Sequence, residues 1–240
     1  MKLKTILLES SLNESNDDFV TDHHSLRTVK PENILPTQKL AVNRNIQLIQ
    51  EGLVELLKTT HLVKSQILDN MREYIASFDD KKFSRKIGTI KKFYSSGVFG
   101  SAFQLNDGKT FKLTFDFKEV PFLYMYSYKS HVPGFVVVDK IYEDDFGDSK
   151  CFYIVRDPVQ KIIESDKVEE VISDYKKGKR NVSYTDPLKT EVSKSLQAMY
   201  TMDPNWRGTH FNNIAIQNGK VVLYDGFSKA ATPQVSVEKF

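Results

Sequence analysis

An α+β fold is what the sequence predicts, and three observations predict it. Apolar residues recur at three- and four-residue steps from Leu40 to about Phe78. The period becomes strand-like from about Lys86, and Asp-Gly and Asn-Gly pairs then punctuate alternating segments. The 240 residues, 40% of them hydrophobic, suffice to bury a substantial core. Lys+Arg number 34 against 31 Asp+Glu, and the formal charge of +3 announces neither a nucleic-acid nor a membrane partner. The single cysteine, Cys151, excludes an internal disulfide framework and a multi-cysteine zinc site, so a reducing compartment is expected.

The N-terminus carries Lys2 and Lys4, but its apolar run is only Ile6-Leu7-Leu8. A signal peptide needs about 7–15 apolar residues and a membrane helix about 20. The chain therefore reads as soluble and intracellular. Residues 9–40 are polar and broken by Pro31 and Pro36, too poor in apolar surface to offset their ordering entropy. Residues 1–40 are read as a mobile arm, with a short helix or strand at 3–8 left open. His23-His24 has no metal-ligand companion at usable spacing.

A helical extension is expected over residues 41–85. Ile46, Ile49, Leu53, Leu56 and Leu57 form one apolar stripe, and Val63, Ile67, Met71, Tyr74 and Ile75 a second. Thr59-Thr60-His61 separates them, and Asp79-Asp80-Lys81-Lys82 closes the zone.

Residues 86–160 form a β-rich region. Strands are read at Ile87–Tyr94, after Gly100, at Lys109–Thr114, at Phe135–Tyr142 and at Lys150–Val155. Turns fall at Asn106-Asp107-Gly108 and Phe146–Ser149. A helix over 117–130 places Pro121 in its first turn.

The remaining region, 161–240, holds a helix over 187–202, capped by Asp186 with Pro187 at its first position. The Lys176-Lys177-Gly178-Lys179-Arg180 run reads as a solvated loop.

Residues 205–227 are the most informative. Asn218-Gly219 is a favoured two-residue hairpin turn, pairing 217 with 220 and so on down to 213 with 224. Asn213 and Asp225 then emerge side by side at the open end, two oxygen ligands suited to Mg²⁺. Upstream, Ser95-x-Gly97-x-x-Gly100 lies between strands, where glycines let backbone approach a phosphate chain. Lys112 on the return strand is placed to put a point charge on the same phosphates.

In that order these motifs resemble the protein-kinase-like superfamily, particularly divergent bacteriophage-encoded serine/threonine kinases. That family has a G-x-G-x-x-G loop, a strand lysine, an H-R-D-x-x-x-x-N loop and a metal-binding aspartate about twelve residues later. Trp206-Arg207-Gly208-Thr209-His210-Phe211-Asn212-Asn213 matches the catalytic loop in its arginine and asparagine, and Asp225-Gly226-Phe227 matches the metal motif with two letters exchanged.

The resemblance covers roughly residues 87–228. It implies a two-lobed fold with a small antiparallel sheet lobe and a reduced helical lobe, binding ATP and Mg²⁺. Gly97 and Gly100 would cover the phosphates, Lys112 would grip them with Glu119 as its helix partner, and Asn213 and Asp225 would hold the metal. Ile154–Val159 would be the hinge that holds adenine through backbone groups.

Two departures bear on activity. Gly208 stands where the family has its catalytic-base aspartate, leaving His210 or Asp203 as substitutes beside Arg207. Fifteen residues follow Asp225, too few for an activation segment and a helical substrate platform. The N-terminal helices are therefore expected to cover surface those missing helices would bury.

Two readings stand level: a weak ATP-dependent protein kinase acting on a host or phage protein, and a pseudokinase with a binding, regulatory or assembly role. A small-molecule phosphotransferase of the aminoglycoside-kinase type is a third. Trp206 fits either beneath the loop or on a substrate surface.

Overall fold

Local capping starts the first helices. Asn43 accepts the Asn45 amide through its side chain at 2.9 Å, opening α1 (Arg44–Thr59), and Lys58 sits in the last turn where the helix dipole favours a cation. Helix α2 (Lys64–Ser77) comes next. Asp79 does not close the helical zone as the sequence reading had it. Its carboxylate accepts from the Lys82 amide at 3.0 Å and so caps a third helix, α3 (Asp80–Lys86). The computed structural model describes residues 43–59, 64–206, 210–227 and 235–240. The arm read at 1–40, the helix or strand at 3–8, His23-His24 and the break at Thr60-His61 lie outside them.

Strands β1 (Ile90–Ser96), β2 (Gly100–Leu105), β3 (Thr110–Thr114), β4 (Val138–Phe146) and β5 (Ser149–Arg156) form an antiparallel sheet in the order β1-β2-β3-β5-β4. Gly108, at a φ of 88°, turns β2 into β3, where a side chain would be strained. Between β3 and β4 lie the short helix α4 (Glu119–Leu123) and a wider π-helical turn, Tyr124–Lys129, in place of one continuous helix.

The second lobe contains α5 (Ser165–Lys176), α6 (Pro187–Met202) and a three-stranded sheet of β6 (Gln160–Lys161), β7 (Ile214–Gln217) and β8 (Lys220–Leu223). Asp186 caps α6 through the Leu188 and Lys189 amides at 2.9 and 3.1 Å. The fold is thus α+β, with a sheet lobe and a helical lobe, as the sequence reading had it.

Strand alternation divides the core between the two faces of the sheet. Phe111 and Leu113 of β3 and Tyr153 and Val155 of β5 face α1, α2 and α3, packing with Leu53, Leu56, Met71, Tyr74 and Phe83. Lys112, Ile154 and Arg156 point the other way, toward the helical lobe. The N-terminal helices therefore cover the outer face of the sheet lobe, not surface at the C-terminal side. The reason is composition: β2, β3 and β5 alternate large aromatic residues on that face, and only an amphipathic layer buries them. At about 1.5–3 kcal/mol for each large apolar side chain removed from water, this layer is a major source of stability.

Polar ties fix its register. Buried Asn45 donates to Asp80 at 2.6 Å and accepts the Ile90 amide at 2.7 Å, joining α1, α3 and β1. Residues 235–240 run along edge strand β4. The Glu143 amide donates to the Glu238 carbonyl at 2.9 Å and the Phe240 amide to the Glu143 carbonyl at 2.7 Å, which shields an otherwise open edge.

Gly52 marks the closest approach of α1 to the sheet. A Cβ there would lie 2.5 Å from the Phe103 ring, which is fully buried between Phe93 and Phe111. Elsewhere in a helix interior, Gly→Ala stabilises by about 1 kcal/mol. Here overpacking outweighs propensity, and Gly52→Ala is expected to destabilise the protein by about 1–3 kcal/mol. Urea unfolding measures it; an unchanged or raised midpoint would refute the close-approach argument.

Candidate functional site

A cleft of about 800 Å³ opens between the inner face of the sheet and the helical lobe. That volume is in the usual range for a small-ligand site. Lys112 projects into it from the middle of β3, and its ammonium lies 2.8 Å from both carboxylate oxygens of Glu119. Asp116 makes this possible by capping α4: its carboxylate accepts from the Lys118 and Glu119 amides at 2.9 and 3.1 Å. Pro121 is the third residue of α4, where its missing N–H leaves no helical bond unmade. The carboxylate partner that the resemblance assigned to Lys112 is in contact with it.

Both partners are sheltered, with side-chain exposures of 22% for Lys112 and 4% for Glu119. Burial alone would pull the Lys112 ammonium down, but the Glu119 and Asp225 carboxylates outweigh it and hold the group above the usual lysine range. For Glu119, burial pushes the carboxyl up and Lys112 pulls it back. The net result leaves the Glu119 carboxyl above its ordinary range, with the ammonium limiting the rise.

The hairpin has the register read from the sequence. Ile214 pairs with Leu223 and Gln217 with Lys220, with Asn218 and Gly219 at φ of 50° and 78° in the turn. The Tyr224 amide donates to the Asn213 carbonyl at 2.9 Å, so Asn213 and Asp225 leave the ladder together and both line the cleft.

Gly226 and Phe227 brace Asp225. The Gly226 amide donates to its carboxylate at 2.8 Å, the Gly226 carbonyl accepts from the indole N–H of Trp206 at 2.9 Å, and Phe227 stacks on Phe122 of α4 at 4.8 Å. Trp206 is fully buried in the core of the helical lobe and so forms no part of a substrate surface.

Gly97 and Gly100 bound the tip of the β1–β2 hairpin, closed by the Gly97 amide donating to the Gly100 carbonyl at 2.8 Å. Their glycines have different causes. A Cβ on Gly100 would meet the Leu113 carbonyl oxygen at 2.4 Å, so strand packing dictates that residue. A Cβ on Gly97 would meet nothing within 4 Å, and the space beside it belongs to the cleft. Helix α1 holds this tip from behind. The Gly52 carbonyl accepts from the Ser96 and Ser101 hydroxyls at 2.8 Å each, and the Thr59 hydroxyl donates to the Gly97 carbonyl at 3.1 Å.

Gly97, Gly100, Lys112, Glu119, Asn213 and Asp225 all line this one cleft. His210 does not. It is exposed, its Nδ1 accepts from the Asn212 amide at 3.1 Å as a cap, and it borders a separate depression with Lys176 and Phe211. Arg207 and Gly208 lie outside the described residues.

Sequence reasoning noted Arg156 only as part of the hinge and missed its side chain. The guanidinium faces the cleft, 5.2 Å from the centre of the Tyr224 ring. Burial lowers its pKa, against the charges of Tyr224, Glu119 and Asp225. The signal was there to read: an arginine ending the apolar run Cys151–Val155, with inward parity.

No protein-family model matches the chain, and no curated protein matches it. Solved structures similar to it include a thermostable mutant of the aminoglycoside phosphotransferase APH(4)-Ia, in ternary complex with ADP and hygromycin B and in the apo form, each 14% identical with a TM-score of 0.34. A ternary complex of another variant of that thermostable enzyme, with AMP-PNP and hygromycin B, is 13% identical with a TM-score of 0.33. Each match covers 63% of this chain and 71–72% of the other. Likeness at this level transfers no activity.

Proposed function

We propose that this chain is a kinase-like nucleotide-binding protein whose cleft takes a purine nucleoside triphosphate together with Mg²⁺. The observation that carries the reading is the sheltered Lys112–Glu119 pair, aimed into a cleft that also holds Asn213, Asp225 and the glycine tip. An ammonium fixed by a carboxylate keeps its charge and its direction while it keeps donor capacity for phosphate oxygens.

The residues fit the ligand. The open side of Gly97 leaves room for a phosphate chain beside the backbone, and Asn213 and Asp225 supply two oxygens of the kind Mg²⁺ uses while keeping its remaining positions for phosphate and water. When bound, the ion would neutralise charge on the phosphates.

Binding and regulation are the primary role in this reading. Among the described residues, the three carboxylates lining the cleft are each engaged: Asp116 caps α4, Glu119 holds Lys112, and Asp225 accepts the Gly226 amide. Phosphoryl transfer to a hydroxyl is the second reading, favoured by the closed Lys112–Glu119 pair, which orients a phosphate for electrostatic stabilisation of its transfer. Transfer of this kind would not use His210 from its place outside the cleft.

Thermal melting with nucleoside triphosphates and Mg²⁺ tests the first reading. Ligand at 100 times its Kd stabilises by about 2.7 kcal/mol, which raises the melting temperature by several degrees. Wild type is expected to show that shift and Asp225→Ala to lose most of it. Absence of any shift in wild type sinks the reading. Transfer of label from the γ-phosphate, lost in Asp225→Ala, would establish the second.

Replacement of Lys112 has a pH signature. In Lys112→Met the burial of Glu119 is unopposed, so a folded-state pKa already above the unfolded value rises further. Such a group contributes stability that is complete below the unfolded carboxylate range and lost as pH rises through the folded pKa. The variant is expected to lose about 3 kcal/mol near pH 8 and distinctly less near pH 4.5, with Lys112→Met/Glu119→Leu recovering most of the loss. Equal destabilisation at both pH values would contradict the account of the pair.

A further inference from the structure

Arg156 lines the cleft but has no place among the phosphate and metal groups assigned above. Arg156 ends β5 opposite Thr110, while Lys112 is opposite Ile154, so the two cations share the inner face of the sheet about 7 Å apart along the strands. Gly100 pairs with Thr114 at the other end of β3. The order along the cleft is therefore glycine tip, Lys112, Arg156. The phosphate-directed groups occupy one end, and Arg156 stands at the other, beside the link at Asp157-Pro158 between the lobes.

Its Nη1 is buried with no hydrogen-bond partner among the described residues, and the guanidinium lies against the Tyr224 ring. A guanidinium is all donors and no acceptor. A buried donor left unmade is costly, and the residue that carries it lines a cleft large enough for a ligand that brings an acceptor.

We propose that the cleft is selective for 6-oxopurine nucleotides, GTP-like over ATP-like, with Arg156 donating to the base. This rests on the nucleotide-binding reading of the cleft. With the triphosphate at the Lys112 end, the group that reaches Arg156 is the base. Guanine presents O6 and N7 as adjacent acceptors, the pair a guanidinium fork matches bidentately. Adenine presents N7 beside an N6 amino donor, which would set donor against donor in a site sheltered from water. Tyr224 keeps the guanidinium flat and directed.

Titration calorimetry of the full chain with Mg²⁺ and a ligand series tests this. GTP and ITP, which share O6 and N7, are expected to bind at least about tenfold more tightly than ATP, in the lower part of what a bidentate arginine contact gives. The analogue 7-deaza-GTP, which lacks one acceptor, should fall between them. Arg156→Gln offers one donor and one acceptor, the pattern that matches adenine, and is expected to move the preference toward ATP. Its ligand-free melting curve reports whether it folds; if it does not, the wild-type series decides alone.

Equal binding of ATP and GTP, or tighter binding of ATP, overturns the selectivity and leaves the nucleotide reading standing. Inorganic tripolyphosphate binding as tightly as GTP overturns it too, because the partner of Arg156 would then be a phosphate. If no ligand of the series binds, the nucleotide reading itself fails and this inference falls with it.

Discussion

The cleft depends on one contact, the Lys112 ammonium held by both oxygens of Glu119. A lysine in the middle of a strand and a carboxylate on a helix of five residues are each costly to shelter alone, and each makes the other tolerable. The consequence reaches beyond the pair. The turn of α4 that carries Glu119 also carries Phe122, and Phe122 stacks on Phe227, two residues past Asp225. The sheet lobe grips α4 by charge, and α4 grips the Asp225 turn by its aromatic face. A single short helix thus sets the distance between Lys112 and Asp225, and the indole of Trp206 fastens the same turn from the other side.

The N-terminal helices serve the same site from a distance. Helix α1 buries its apolar stripe on the outer face of the sheet while its Gly52 carbonyl and Thr59 hydroxyl bind the strands and tip of the glycine hairpin. The absence of a side chain at Gly52 lets that carbonyl come within reach of two serines at once. A hairpin tip in solvent carries little packing of its own, and Val98 and Phe99 there are exposed. Its position over the cleft is therefore inherited from α1 and not from the strands alone.

What the sequence made legible was local. Asn218-Gly219 prescribes a turn, and the turn prescribes the register that delivers Asn213 and Asp225 together. Lys112 was found from its place on the return strand beyond the glycine turn. Pro121 and Pro187 were compatible with helix starts for the reason they occur there. The failures share a different cause. Asp79 was read as an ending because a run of charges resembles a linker, although its carboxylate begins a helix. Val168, Val171, Ile172 and Tyr175 lie at helical spacing, yet α5 was obscured by the charges around them. The destination of α1 and α2 and the exposure of His210 are set by contacts between segments far apart in sequence, and no period or motif encodes them.

The charges along the cleft make a further demand on any ligand. Lys112, Arg156 and Lys161 line it, and so do Asp116, Glu119 and Asp225, three formal cations against three formal anions among the described residues. Such a wall is not a general anion trap, since Lys112 is already matched by Glu119 and the field of Asp225 opposes any phosphate that approaches the same end. A bare triphosphate would therefore be poorly held there. A divalent cation held by Asp225 and Asn213 would offset that field, and the ammonium of Lys112 would then act on the charge that remains. In this reading the cation is the condition under which the cleft accepts a nucleotide at all. Arg156, farther along the same face, would be left to judge the base.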